Sequence, residues 1–211
     1  MDISKLPKVL DHAALRSVIG YPADRTANKD RAFLHEDHKA WLAASPFCVI
    51  STASGDGIAD VSPKGDPAGF VKVLDDTTIA IPERPGNRRA DGFANIVENP
   101  NVGLLFFIPG RGDTMRINGR ATLVTDAPFF DDMVVKGHRP ILALIVEIDQ
   151  VFFHCSKAFL RSDLWEPTTW RSDAVPPRAE IAQRLERPDD PIEEIAAYYG
   201  QSYRDGLYSQ Q

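Results

Sequence analysis

A chain of 211 residues is long enough for one good-sized core, or for a core with an elaborated tail. Its 43% hydrophobic and 26% charged residues are those of a globular protein, and 24 basic against 30 acidic side chains argue against a surface built to gather nucleic acid. No apolar run approaches the ~20 residues that span a bilayer. Met1-Asp2-Ile3-Ser4-Lys5 lacks the apolar stretch of a secretory signal, so a cytoplasmic protein is expected, with no membrane partner.

Residues 1–30, broken by Pro7 and Pro22, read as an N-terminal extension with one short helix. From 32 to 44 the spacing of Phe33, Trp41 and Leu42 predicts a helix with one buried face, and Ser45-Pro46 ends it. Strand signals follow at 47–52, 58–62, 70–74 and 77–81, separated by Ser54-Gly55-Asp56-Gly57, Lys64-Gly65-Asp66-Pro67 and Asp75-Asp76. Strands this close must pair antiparallel, because a parallel crossover needs about a dozen residues or more. A helix at about 88–98 leads to strands at 102–108 and 114–124, then a helical stretch at 127–135 and a long strand at 141–154. Cys48 and Cys155 both fall in strand-like apolar runs and are expected to be buried, reduced thiols. The sum is a mainly β chain with helices (α+β), six or seven antiparallel strands whose two-sided apolar runs are naturally buried by a closed or split barrel. Beyond it, 171–211 reads as a helical tail: prolines bracket stretches at 178–185 and 192–199, each too short to be stable unless packed on the barrel or on a partner.

The chemistry concentrates in Pro82-Glu83-Arg84-Pro85-Gly86-Asn87-Arg88-Arg89, between a β-branched run and a helical pattern. A Gly-Asn turn at a helix mouth leaves backbone N–H groups facing outward, where the dipole favours an anion. Paired arginines oppose that dipole. Either a phosphate resolves the conflict, or the pair is simply solvated on a surface turn. Elsewhere His35-Glu36-Asp37-His38 lacks the i, i+4 spacing of zinc hydrolases and reads as solvated helix surface, so no metal site is expected. His154 and Cys155 are strand neighbours that point to opposite faces, which disfavours a nucleophile–base pair. No Gly-x-Gly-x-x-Gly or Walker pattern occurs.

Three blocks, in order and spacing, resemble the pyridoxamine 5′-phosphate oxidase-like FMN-binding split barrels over about 30–170. They are Asp60-Val61-Ser62-Pro63-Lys64-Gly65-Asp66 with Gly69-Phe70-Val71-Lys72; Pro82 to Arg89 with the helix and strand that follow; and Asp113-Thr114-Met115-Arg116-Ile117-Asn118-Gly119 with Phe153 to Trp165. The resemblance implies a six-stranded antiparallel split β-barrel at 31–170, between the extension at 1–30 and the tail at 171–211. It also implies a homodimer with FMN at the subunit interface. Gly86, Asn87, Arg88 and Arg89 would then hold the FMN phosphate, with Lys72 nearby, Pro82 beside the ring, and Ser62 and Lys64 contributing from the early strands. Thr114 and Arg116 would come from the other subunit or from the shared seam, and Arg161 and Trp165 would either close over the flavin from the partner subunit or simply anchor their own segment. The tail lacks the Arg- and His-bearing segment with which the vitamin-forming oxidases hold their substrate. If it packs near the site, its acidic cluster Asp189, Asp190, Glu193 and Glu194 would repel a phosphorylated one, so the expected substrate is different and unknown. Two other functions stay open: a non-catalytic flavin-binding or electron-carrying protein, and a haem-binding split barrel with His138 or His154 as axial ligand.

Overall fold

The short Gly- and Asp-rich turns do what their length requires. Every strand ladder is antiparallel in the structure, a computed structural model that describes residues 1–209 and, for Ser202, only the backbone. Strands β1 (Phe47–Ala53), β2 (Ala59–Gly65), β3 (Lys72–Val73), β4 (Thr78–Pro82), β5 (Asn101–Phe107), β6 (Thr114–Val124) and β7 (Ala143–His154) form one sheet in the order β2-β1-β5-β6-β7-β4-β3. This corrects the six-stranded barrel: there are seven strands, and the sheet is open, with no ladder joining β2 to β3. The edges explain why. Pro63 in β2 has no N–H to offer a further strand, and β3 is only two residues long.

Residues 1–30 form a unit of their own, with α1 (His12–Ile19) and α2 (Asp24–Ala27) where one helix was expected. Asp11 caps α1 by accepting from the Ala14 N–H at 2.8 Å, and Gly20, at φ 74°, stops it. No residue of this unit is buried.

In the larger unit, 31–211, the remaining helices are α3 (Glu36–Ala44), α4 (Asp91–Glu98), α5 (Lys157–Ser162), α6 (Arg178–Leu185), α7 (Ile192–Tyr198) and α8 (Gln201–Asp205). The stretch expected to be helical at 127–135 is a 3-10 turn, Pro128–Met133. Helix α3 starts at Glu36 because two histidines cap it. His35 Nδ1 accepts from the Asp37 N–H at 3.3 Å, and His38 Nδ1 accepts from the His35 N–H at 3.0 Å. His38 is therefore not solvated surface: it is 7% exposed and packs on Phe153 with ring centroids 5.2 Å apart.

The core lies on one face of the sheet, where alternate residues of neighbouring strands meet: Cys48 and Ile50 of β1, Leu104 and Phe106 of β5, Met115 and Ile117 of β6. Ile96 of α4 closes over it. At the β6–β7 bulge between Asn118 and Gly119, a Cβ on Gly119 would lie 2.0 Å from the Glu147 carbonyl oxygen, so only glycine fits. The opposite face carries rows of half-buried and exposed residues, such as Pro63, Val49, Leu105, Arg116 and Phe152 in register. The thiols part company: burial pushes Cys48 up to about 12, whereas Cys155 is exposed, because β7 has already ended at His154. That corrects the expectation of two buried thiols.

Candidate functional site

A cavity of about 470 Å³ opens where β1 and β2 meet the turn between β4 and α4. Its floor follows from strand alternation: Ile50 and Thr52 on β1, and Asp60, Ser62 and Lys64 at every second position of β2. The wall is the turn that follows Pro82, and the first residues of α4 complete it, with Gly92 packed so closely that a Cβ would sit 3.1 Å from Asp60 Oδ2.

The cavity's charges are largely paired. Lys64 Nζ contacts Glu83 and lies 4.6 Å from the centroid of the Phe93 ring. Arg84 Nε sits 2.5 Å from Asp66 Oδ2, both side chains being shielded, at 13% and 1% exposure. Arg89 Nε reaches Asp91 Oδ2 at 2.7 Å, but this pair is open to solvent. Ser62 Oγ donates to Asp60 Oδ2 at 2.9 Å, and Asn95 Nδ2 to Thr52 Oγ1 at 3.1 Å. The mouth of α4 has an unusual backbone: Arg88 and Ala90 adopt left-handed φ of 59° and 57°. Ala90, as N-cap, brings no side-chain acceptor to the first-turn N–H groups. Asn87 Oδ1 accepts instead from the Arg89 N–H at 3.1 Å.

Six of the twelve residues expected at the site line this cavity: Ser62, Lys64, Pro82, Gly86, Asn87 and Arg89. The others lie elsewhere. Arg88 belongs to the turn but is not part of the lining. Lys72 lines a neighbouring pocket of about 130 Å³ behind Arg84 and pairs with Asp132 at 2.5 Å. Thr114 is buried at the start of β6, opposite His154. Arg116 lies over the Phe152 ring at 4.2 Å, on the sheet face opposite the cavity-lining side chains of its own chain, and its buried Nε has no hydrogen-bond partner. Trp165 Nε1 donates to the Arg111 carbonyl at 2.7 Å and its ring stacks on Phe159, so it anchors the segment after β7 to the turn before β6. Arg161 is exposed on α5. Sequence reasoning quoted Asp60, Asp66, Glu83 and Arg84 within its motifs but gave them no part in the site; the period-two pattern of Asp60, Ser62 and Lys64 was the signal that could have found the first. Among the described residues no group of three or more His, Cys, Asp or Glu could hold a metal ion, and no helix is long and apolar enough to cross a membrane.

The profile of the pyridoxamine 5′-phosphate oxidase family matches residues 34–155, which include every residue lining the cavity, and the chain belongs to that family. No curated protein matches it. Solved structures similar to the chain include HupZ of Group A Streptococcus, with a TM-score of 0.46 and 16% identity over 57% of this chain and 93% of that one. General stress protein 26 of Bacillus anthracis gives 0.43 and 16% over 57% and 94%, and an FMN-binding protein of Syntrophomonas wolfei subsp. wolfei gives 0.42 and 12% over 56% and 81%. At these identities and scores none of them bears on the role of any residue here.

Proposed function

We propose that the cavity is an FMN site and that the protein is an FMN-dependent oxidoreductase acting on a substrate other than pyridoxamine 5′-phosphate. Family membership supports flavin-binding, oxidoreductase-type function at the level of the family. The observation that carries the finer reading is the mouth of α4: an N-cap with no side-chain acceptor, next to Gly86, Asn87 and Arg89 on the rim of a cavity of ligand size. These residues fit a phosphate monoester. First-turn amides supply directed donors, and the solvent-open Arg89–Asp91 pair is weak enough for a dianion to take Asp91's place. Ser62, Lys64 and Pro82 would border the rest of the cofactor, which supplies the redox chemistry when bound.

The reading includes a homodimer. Arg116 faces away from its own cavity, so it can serve a flavin only across a subunit interface, and the half-buried apolar rows around it suit a second copy of the chain.

Fluorescence titration with FMN and riboflavin tests the cofactor. The protein should quench FMN, and replacing Arg88 and Arg89 together by Ala should weaken FMN by roughly tenfold or more while leaving riboflavin nearly unchanged. No binding of either flavin refutes the reading. Light scattering should give a dimer, and a monomer with full FMN affinity contradicts that part. The FMN-loaded protein should give no multiple turnovers of pyridoxine phosphate.

A further inference from the structure

Four separate segments meet behind the turn that carries the proposed phosphate contacts. At the centre is Asp66, whose side chain is 1% exposed. Its two oxygens are shared between distant donors: Arg84 Nε at 2.5 Å from Oδ2, and the Tyr208 hydroxyl at 2.5 Å from Oδ1. Arg84 spends its remaining nitrogens on the carbonyls of Met133, at 2.7 Å, and His138, at 3.4 Å.

Tyr208, from the segment after α8, is held by its ring as well. The His138 ring stacks on it at 6.0 Å with 22° between planes, Lys136 Nζ lies 5.4 Å from its centroid, and Arg84 Cζ 5.7 Å. A tight turn presents those two neighbours: Lys136 and Gly137 adopt φ of 50° and 80°, while Val135 and His138 exchange both backbone hydrogen bonds.

Each donor that reaches a carboxylate this shielded from water helps to fix it in place. Arg84 in turn is oriented by Asp66 on one side and by the two carbonyls on the other. Both Asp66 and Arg84 line the cavity, and Arg84 belongs to the same turn as Gly86, Asn87 and Arg89. Tyr208 itself is not part of the lining. It acts at one remove.

We propose that Tyr208 is a positioning residue: through Asp66 and Arg84 it latches the turn 82–89 in the shape that receives the phosphate of the flavin. The proposal rests on the FMN reading for its ligand, and on the Asp66–Arg84–Tyr208 geometry for its mechanism. It makes the segment after α8 a determinant of phosphate recognition, although none of its described residues lines the cavity.

The test compares the wild-type protein, Tyr208→Phe, which removes one hydroxyl, and Tyr203→Phe, a nearby change on α8 that leaves the latch intact. In Tyr208→Phe the FMN dissociation constant should rise roughly tenfold, the scale of one hydrogen bond to a charged group, with riboflavin unchanged. Amide exchange over 83–90, measured without ligand, should quicken by about the same factor. Tyr203→Phe should alter neither. A tenfold loss shared equally by FMN and riboflavin, or unaltered exchange over 83–90 in Tyr208→Phe, overturns the latch. Should the wild-type protein bind no flavin, the functional reading falls by itself, and the exchange measurement still decides whether Tyr208 holds the turn.

Discussion

Replacing Arg84 by Met should be among the most costly single changes near the cavity. Methionine keeps much of the aliphatic stem and removes the guanidinium. It leaves the Asp66 carboxylate, 1% exposed, with the Tyr208 hydroxyl as its hydrogen-bond donor and no counter-charge at 2.5 Å. Breaking one side of a buried ion pair costs about 3–5 kcal/mol, because the other charge stays in a poorly solvating place. The Met133 carbonyl also loses a donor at 2.7 Å, worth about 1 kcal/mol more. Against a typical total stability of about 5–15 kcal/mol the loss is severe, and it lowers the melting temperature by about 8–24 °C in a chain of this length. Urea unfolding followed by tryptophan fluorescence measures it. The double variant Arg84→Met with Asp66→Leu removes both charges and should recover most of the loss, since an apolar pair in place of a buried ion pair is often neutral. A loss below about 1 kcal/mol for Arg84→Met, or a double variant no more stable than the single, would refute the claim that this pair is shielded and mutually dependent.

Two further outcomes follow from burial. His38 is held below the usual histidine pKa of 6.5, first by burial and then by the positive charges of His35 and Arg31, with Asp37 opposing. The unfolded chain therefore takes up this proton before the folded one does. The stability it carries is whole above pH 6.5 and is lost as pH falls toward the lowered value. His38→Gln should flatten the fall in melting temperature between pH 7 and 5, about the range in which histidine titrates, and identical slopes would sink the argument. Thiol titration in the native protein should label Cys155 quickly and spare Cys48, with the second thiol appearing only on unfolding; equal native rates would contradict the burial that pushes Cys48 up to about 12.

What could be read from the sequence was what local physics decides. The strand at 114–124 and the helix at 178–185 came out to the residue, because alternation and proline brackets mark both ends. The strand expected at 70–74 shrank to Lys72–Val73, since Gly69 turns at φ 83° and its own Cβ position would lie 3.1 Å from the Ala43 carbonyl. Half of the residues expected at the site line the cavity, because turn and strand alternation placed them there. The other half depends on which sheet face a residue occupies and which strand lies beside it. Arg116 and Lys72 look like any strand cation until the register is known. Asp66, Arg84 and Tyr208 meet only because the chain returns after α8, and no spacing announces that contact.

The paired arginines were the first reason to suspect a phosphate, and the structure changes the form of that argument. Positive charge at a helix start opposes the dipole, but Asp91 in the first turn of α4 offsets Arg89 at 2.7 Å, so the charge conflict alone no longer calls for a ligand. The backbone does. Two residues with side chains, Arg88 and Ala90, hold left-handed conformations that cost on the order of 1 kcal/mol each, where glycine would be nearly free. Ala90 also occupies the N-cap, where Ser, Thr, Asp or Asn would satisfy the amides and stabilise the helix. A turn selected only for stability would have used such residues. The fixed pairs, Lys64–Glu83 and Arg84–Asp66, hold the frame, and the solvent-open pair at Arg89 is the one a dianion can exchange. Strain, uncapped amides and an exchangeable cation therefore converge on the same few ångströms of chain, and the proposed phosphate would answer the amides and the cation together.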